Sequence, residues 1–133
     1  MSEAVELDQL LEVAGRFGTT PMLLTTDADG RPRATAVTLE WDDDPVAAGD
    51  ARIAHVRAGN RTVTNAAVRP LVALLWPAPP GERFALLVDG EVVATTSDDV
   101  PPGAEPGSRA ARVGGWVDVR PTNGILHVVA GHR

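Results

Sequence analysis

Pro21-Met22-Leu23-Leu24-Thr25-Thr26-Asp27-Ala28-Asp29-Gly30-Arg31-Pro32-Arg33-Ala34-Thr35 is the stretch that decides the fold. It opens as a strand with the apolar centre Met22-Leu23-Leu24. Asp27-Ala28-Asp29-Gly30 then reads as a turn, because Asp side chains bond their own backbone and glycine accepts positive φ. The chain returns along a strand from Pro32 to Trp41, with Thr35, Val37, Leu39 and Trp41 on one face at period two. A local hairpin of this kind implies antiparallel pairing.

The pattern continues outward. Ala51 to Arg57 alternates Ile53, His55 and Arg57 against Ala54 and Val56, and Leu71 to Trp76 reads as a buried strand stopped by Pro77, Pro79, Pro80 and Gly81. Phe84 to Val88, an Asp89-Gly90 turn and Glu91 to Thr96 suggest a second hairpin. Val113 to Arg120 and Ile125 to Val129 follow, separated by Pro121-Thr122-Asn123-Gly124. Two short helices are expected. One spans about residues 3–17, where Val5, Leu7, Leu10, Leu11, Ala14 and Phe17 recur near every third or fourth position, and one spans Arg61 to Val68. Asp42 to Asp50 is expected as a polar loop, and about 97–111 as a mobile one rich in Pro and Gly. About seven or eight short strands and two short helices describe a mainly β chain, closed or partly closed into a barrel. The length of 133 residues suits one domain, 1–133.

Composition removes several functions. There is no cysteine, which excludes disulfides and thiolate chemistry. The net charge of −6 argues against nucleic acid, which needs a basic surface. All 12 basic residues are arginine, so no lysine exists to form a Schiff base, and a phosphate must be held by arginine, hydroxyls or backbone N–H groups. No apolar run approaches the roughly 20 residues of a membrane helix. Met1-Ser2-Glu3-Ala4-Val5-Glu6 is acidic where a secretion signal is basic, giving the expectation of a cytoplasmic protein.

The order of elements resembles the pyridoxamine 5′-phosphate oxidase-like, FMN-binding split barrels over about residues 20–127. Three stretches carry the resemblance: the hairpin quoted above; Asn60-Arg61-Thr62-Val63-Thr64-Asn65-Ala66-Ala67-Val68-Arg69-Pro70 with Leu71-Val72-Ala73-Leu74; and Leu87-Val88-Asp89-Gly90-Glu91-Val92 with Arg120-Pro121-Thr122 and Ile125-Leu126-His127. The resemblance implies an antiparallel split β-barrel with two short helices, a homodimer and a small-molecule substrate. It implies FMN as cofactor, with deazaflavin or no cofactor as alternatives. It gives the cofactor phosphate to Arg61 and Thr62; typical members carry lysine where this chain has Thr62. It sets Arg33, Ala34, Thr35, Ala36 and Val37 on the strand passing the ring.

A physical reading of the same residues adds Arg57 and the N–H groups at the start of the helix near residue 61, where dipole and free donors attract anions. Trp76, at a strand end, is a candidate for lining the pocket. His55 is a candidate acid–base residue, whereas His127 is expected in the core or an interface. His55, His127 and His132 lack metal-ligand spacing, and Asp27-Ala28-Asp29-Gly30 lacks the later ligands of a calcium loop. Three functions remain open: a flavin-dependent oxidoreductase, in which the cofactor carries the redox chemistry; a non-catalytic flavin- or deazaflavin-binding protein; and a ligand-free dimeric barrel.

Overall fold

The computed structural model describes residues 2–46 and 51–130. Residues 47–50, the end of the polar loop expected at Asp42 to Asp50, and His132 lie outside the described residues. The strands are β1 (Ser2–Val5), β2 (Met22–Thr26), β3 (Pro32–Ala36), β4 (Thr38–Asp43), β5 (Arg52–Ala58), β6 (Leu71–Trp76), β7 (Phe84–Ser97) and β8 (Gly115–Val128). The helices are α1 (Leu10–Gly15) and α2 (Asn60–Val68). All the strands join one antiparallel sheet in the order β3-β2-β6-β7-β8-β5-β4, with β1 added to β8. The two outermost strands, β3 and β4, are neighbours in the chain, separated by Val37 alone. The sheet must therefore curl until its ends meet, which makes a barrel.

The opening hairpin forms as its sequence dictates. Met22 pairs with Ala36 and Thr26 with Pro32. Asp27 Oδ1 accepts the amides of Asp29 (2.9 Å) and Arg31 (3.0 Å), and Gly30 has φ +79°. The return strand does not run unbroken to Trp41. At Val37 it changes partners, from β2 to β5, and the Val37 and Leu39 amides bond the Pro21 and Thr19 carbonyls (both 3.0 Å). The inward alternation survives this break, since Val37 and Leu39 are both buried.

Three boundaries differ from the sequence reading. The expected helix over 3–17 is instead β1, a short 3₁₀ turn at Leu7–Gln9 and the six-residue α1. Backbone groups of β8 from Gly124 to His127 are satisfied by β1, a stronger demand than local helix propensity in so short a segment. Asp89-Gly90 is no turn, and Pro121 to Gly124 is no gap between strands. Both lie inside long strands, facing each other: Asp89 pairs with Asn123 and Gly90 with Pro121, leaving Thr122 as the extra residue of a bulge. Proline, which lacks an N–H, is tolerated there because the ladder is already interrupted. A Cβ on Gly90 would lie 2.4 Å from Val119 Cγ1, so glycine serves close approach rather than a turn.

The core fills the barrel from both ends. Leu23, Leu74, Leu86, Val56, Val88, Val117 and Val119 are fully buried, and Val63 and Ala66 of α2 close one end over them. No helix among the described residues is long and apolar enough to cross a membrane.

Gly115 tests the packing of the β7–β8 ribbon, because a Cβ there would sit 2.0 Å from the Thr96 carbonyl oxygen. Gly115→Ala is expected to cost about 1–3 kcal/mol by forcing the ribbon apart. Thermal unfolding should show a lowered Tm, while Gly15→Ala, whose Cβ meets nothing within 4 Å, should not lower it.

Candidate functional site

The expected site residues separate into two groups because alternate residues of a strand face opposite sides. Across the β2–β3 register, Arg33 and Thr35 share the face of Thr25 and Leu23, the side packed against α2. Thr35 Oγ1 lies 3.3 Å from Thr62 Oγ1 in the first turn of α2, so strand and helix meet through two hydroxyls. Thr62 is buried at 7% exposure, whereas Arg61 is exposed and has no hydrogen-bond or ion-pair partner among the described residues.

The helix begins at Gly59, which has no side chain to cap it. Its first backbone bond is Val63 N–H to the Gly59 carbonyl (3.0 Å), so the preceding amides of the first turn have no acceptor within the helix. Arg61, Thr62, Thr35 and these amides form a donor set suited to a phosphate. Beneath them on the same face of β2, the Thr25 hydroxyl is buried with no hydrogen-bond partner. Arg33 is close but engaged: its Nε donates to Asp27 Oδ2 at 2.8 Å, bracing the turn. The amides of Arg31 and Asp29 and the Arg33 guanidinium hold the Asp27 carboxyl below its ordinary range.

Ala36 faces the other way. With Thr20, Val37, Thr38 and Arg57 it lines an open depression of about 330 Å³. Arg57 pairs across the register with Thr38 on the outer face of the barrel, while its neighbours Val56 and Ala58 point inward. Its expected place in the phosphate cluster beside Arg61 is therefore corrected. Its guanidinium is bonded through two nitrogens to the Asp98 carboxylate, one contact measuring 3.0 Å, and lies 5.4 Å from the Trp116 ring centre.

Trp76 is also corrected. It is 1% exposed, follows Val72 and Leu74 into the core, and donates its indole N–H to the Gly18 carbonyl at 2.9 Å. His127 is exposed rather than in the core, with Nδ1 2.9 Å from Ser2 Oγ.

A larger cavity, about 400 Å³, lies between the N-terminal segment and the β4–β8 side, lined by Leu7, Leu10, Leu11 and Trp41. Both its arginines are committed, Arg52 to Asp43 (3.2 Å) and Arg120 to Asp44 (2.8 Å). It lacks an available cation, so the donor set at β3 and α2 is the better anion site.

Sequence reasoning missed the partners of Arg57 and His55. Asp98 belongs to a polar segment with no distinguishing pattern. Asp118 did leave a signal, since Trp116, Asp118 and Arg120 alternate along β8 against buried Val117 and Val119.

No family model and no curated protein matches the sequence. Solved structures do. An F420 reductase superposes with a TM-score of 0.56 at 22% identity, covering 80% of this chain and 88% of its own. A protein from Listeria innocua, provisionally named a pyridoxamine 5′-phosphate oxidase, gives 0.55 at 13% identity over 92% and 96%. A FAD-binding protein from Mesorhizobium loti gives 0.55 at 10% identity over 95% and 96%. The chain thus has the split-barrel fold of these proteins, as the resemblance in its sequence implied.

The Arg57–Asp98 pair has a signed pH dependence. Hydrogen bonds from Arg57 lower the Asp98 pKa. The pair's contribution is complete above the ordinary carboxylate range and is lost as pH falls through the depressed value. A carboxyl-carbon NMR titration should place the Asp98 midpoint below the normal aspartate range, and Arg57→Ala should return it there.

Proposed function

We propose that this chain is a flavin-type oxidoreductase barrel that takes FMN, its phosphate held at the first turn of α2. The observation that carries the reading is the exposed Arg61 beside Thr62, Thr35 and uncapped helix N–H groups, on a chain of net charge −6. A dianion approaching an acidic protein needs such a local donor cluster. Arg33, bonded to Asp27, lies on the same face of β3 as Thr35. The cofactor would supply the hydride or electron chemistry, and the protein its position and electrostatic setting. The likeness to flavin- and F420-related barrels supports the cofactor class. A homodimer, a small-molecule substrate and a cytoplasmic location complete the proposal.

A second reading is a non-catalytic holder of flavin or deazaflavin. It is favoured by Thr62, which is neutral, buried and bonded to Thr35 where the resemblance leads one to expect lysine.

FMN titration of the full chain, followed by flavin fluorescence, tests the site. Arg61→Ala is expected to weaken binding by about 1.5–3 kcal/mol, or roughly 10–150-fold; equal affinities would remove Arg61 from it. Bleaching of the bound flavin by NADPH would favour the oxidoreductase, and a flavin that stays oxidised would favour the holder.

A further inference from the structure

Strands β2 and β6 are apolar on both sides. Their inward residues Leu23, Val72, Leu74 and Trp76 fill the core. Met22, Leu24, Leu71, Ala73 and Leu75 alternate with these and face outward. Cross-strand pairing extends the outward set sideways. Ala36, Met22, Leu75 and Leu87 form one row across β3, β2, β6 and β7, and Ala34, Leu24 and Ala73 form the next. Leu71 is 77% exposed, Ala34 and Ala36 are exposed, and the rest of the set is partly open. Strands that are apolar on both sides belong to sheets covered on both sides. The core of this barrel covers only one of them.

Size, shape and charge suit a second copy of the chain as the other cover. Four strands about 4.8 Å apart, and the about 14 Å from Leu71 to Leu75, give a flat apolar area of roughly 270 Å². That is the scale of the apolar centre of an interface which, with its polar rim, buries about 600 Å² per partner, the lower end for stable pairs. A two-fold axis running along the strands between β2 and β6 lays the β7 side of each copy over the β3 side of the other. Small side chains then meet large ones: Ala36 faces the partner's Leu87, and Leu24 the partner's Ala73. The nearest charges on this face, Asp89 and Glu91, both stand on β7, opposite Ala73 and Leu71. The same axis keeps the two acidic pairs apart and turns each towards the β2–β3 side, whose turn carries the exposed Arg31.

We propose that the outer face of β3, β2, β6 and β7 is the surface through which two copies of this chain pair, sheet against sheet. This rests on the homodimer of the proposed function and gives it a place on the fold. Ala36 also lines the open depression beside Thr38, so the interface borders that depression.

Sedimentation of the full chain without flavin, at micromolar concentration, tests the surface. The wild type should run as a dimer. Leu75→Arg should raise the dimer dissociation constant roughly 30-fold or more, because it places a charge at the apolar centre. Leu71→Arg, at a position too exposed to hold the fold together, should keep the wild-type circular dichroism spectrum and raise the constant about tenfold. Val46→Arg, 81% exposed and outside this face, should leave it unchanged. A wild type that sediments as a monomer, or as an open-ended polymer, overturns the inference. A dimer unaffected by folded Leu71→Arg and Leu75→Arg overturns the surface and spares the homodimer. Dissociation by these variants supports the surface even where FMN titration of the wild type fails, a failure that overturns the flavin reading alone.

Discussion

Everything in this barrel is hung on the ladder between β7 and β8. Each strand has fourteen residues, and they pair from Phe84–Val128 to Ser97–Gly115. Such a length cannot stay flat under the right-handed twist of strands, and the bulges at Asp89/Gly90 and Val92/Ala94 let the two bend as one. Glycine sits where the strands press closest, at Gly90 and Gly115. Once the ribbon curves, β6 and β5 are carried on its two edges, and the direct junction of β3 to β4 draws the sheet's ends together.

This dependence explains what the sequence could and could not tell. The 21–35 hairpin and α2 were legible because their signals are local: turn residues, period-two alternation and a short helix before Pro70. The long ribbon was not. Asp89-Gly90 and Pro121 to Gly124 each carry turn chemistry, and only their mutual pairing shows that they form one bend. Residues 2–15 misled for a related reason. Val5, Leu10 and Ala14 are buried as a helical stripe would bury them, yet Val5 arrives there on a strand, admitted by the missing side chain of Gly124.

At the site, residue types were legible and facing was not. Arg61, Thr62 and Thr35 converge, because the helix start and the edge strand are adjacent in the fold. Arg57 is near in sequence but belongs to the outer face by strand parity. Trp76 could have been assigned inward by the same parity, since Val72, Leu74 and Trp76 are buried together. Near the site, Arg33, Arg57 and Arg120 are tied to Asp27, Asp98 and Asp44, while Arg61 at the helix mouth is exposed.

The short first strand has a wider role than its four residues suggest. Beyond β5, the flank of β8 from Gly124 to His127 would stand open to any other extended chain were β1 not laid along it. Bare strand flanks are templates for sticking between molecules. Ser2 to Val5 therefore act as a built-in selvedge, finishing the cloth where it would otherwise fray into aggregation.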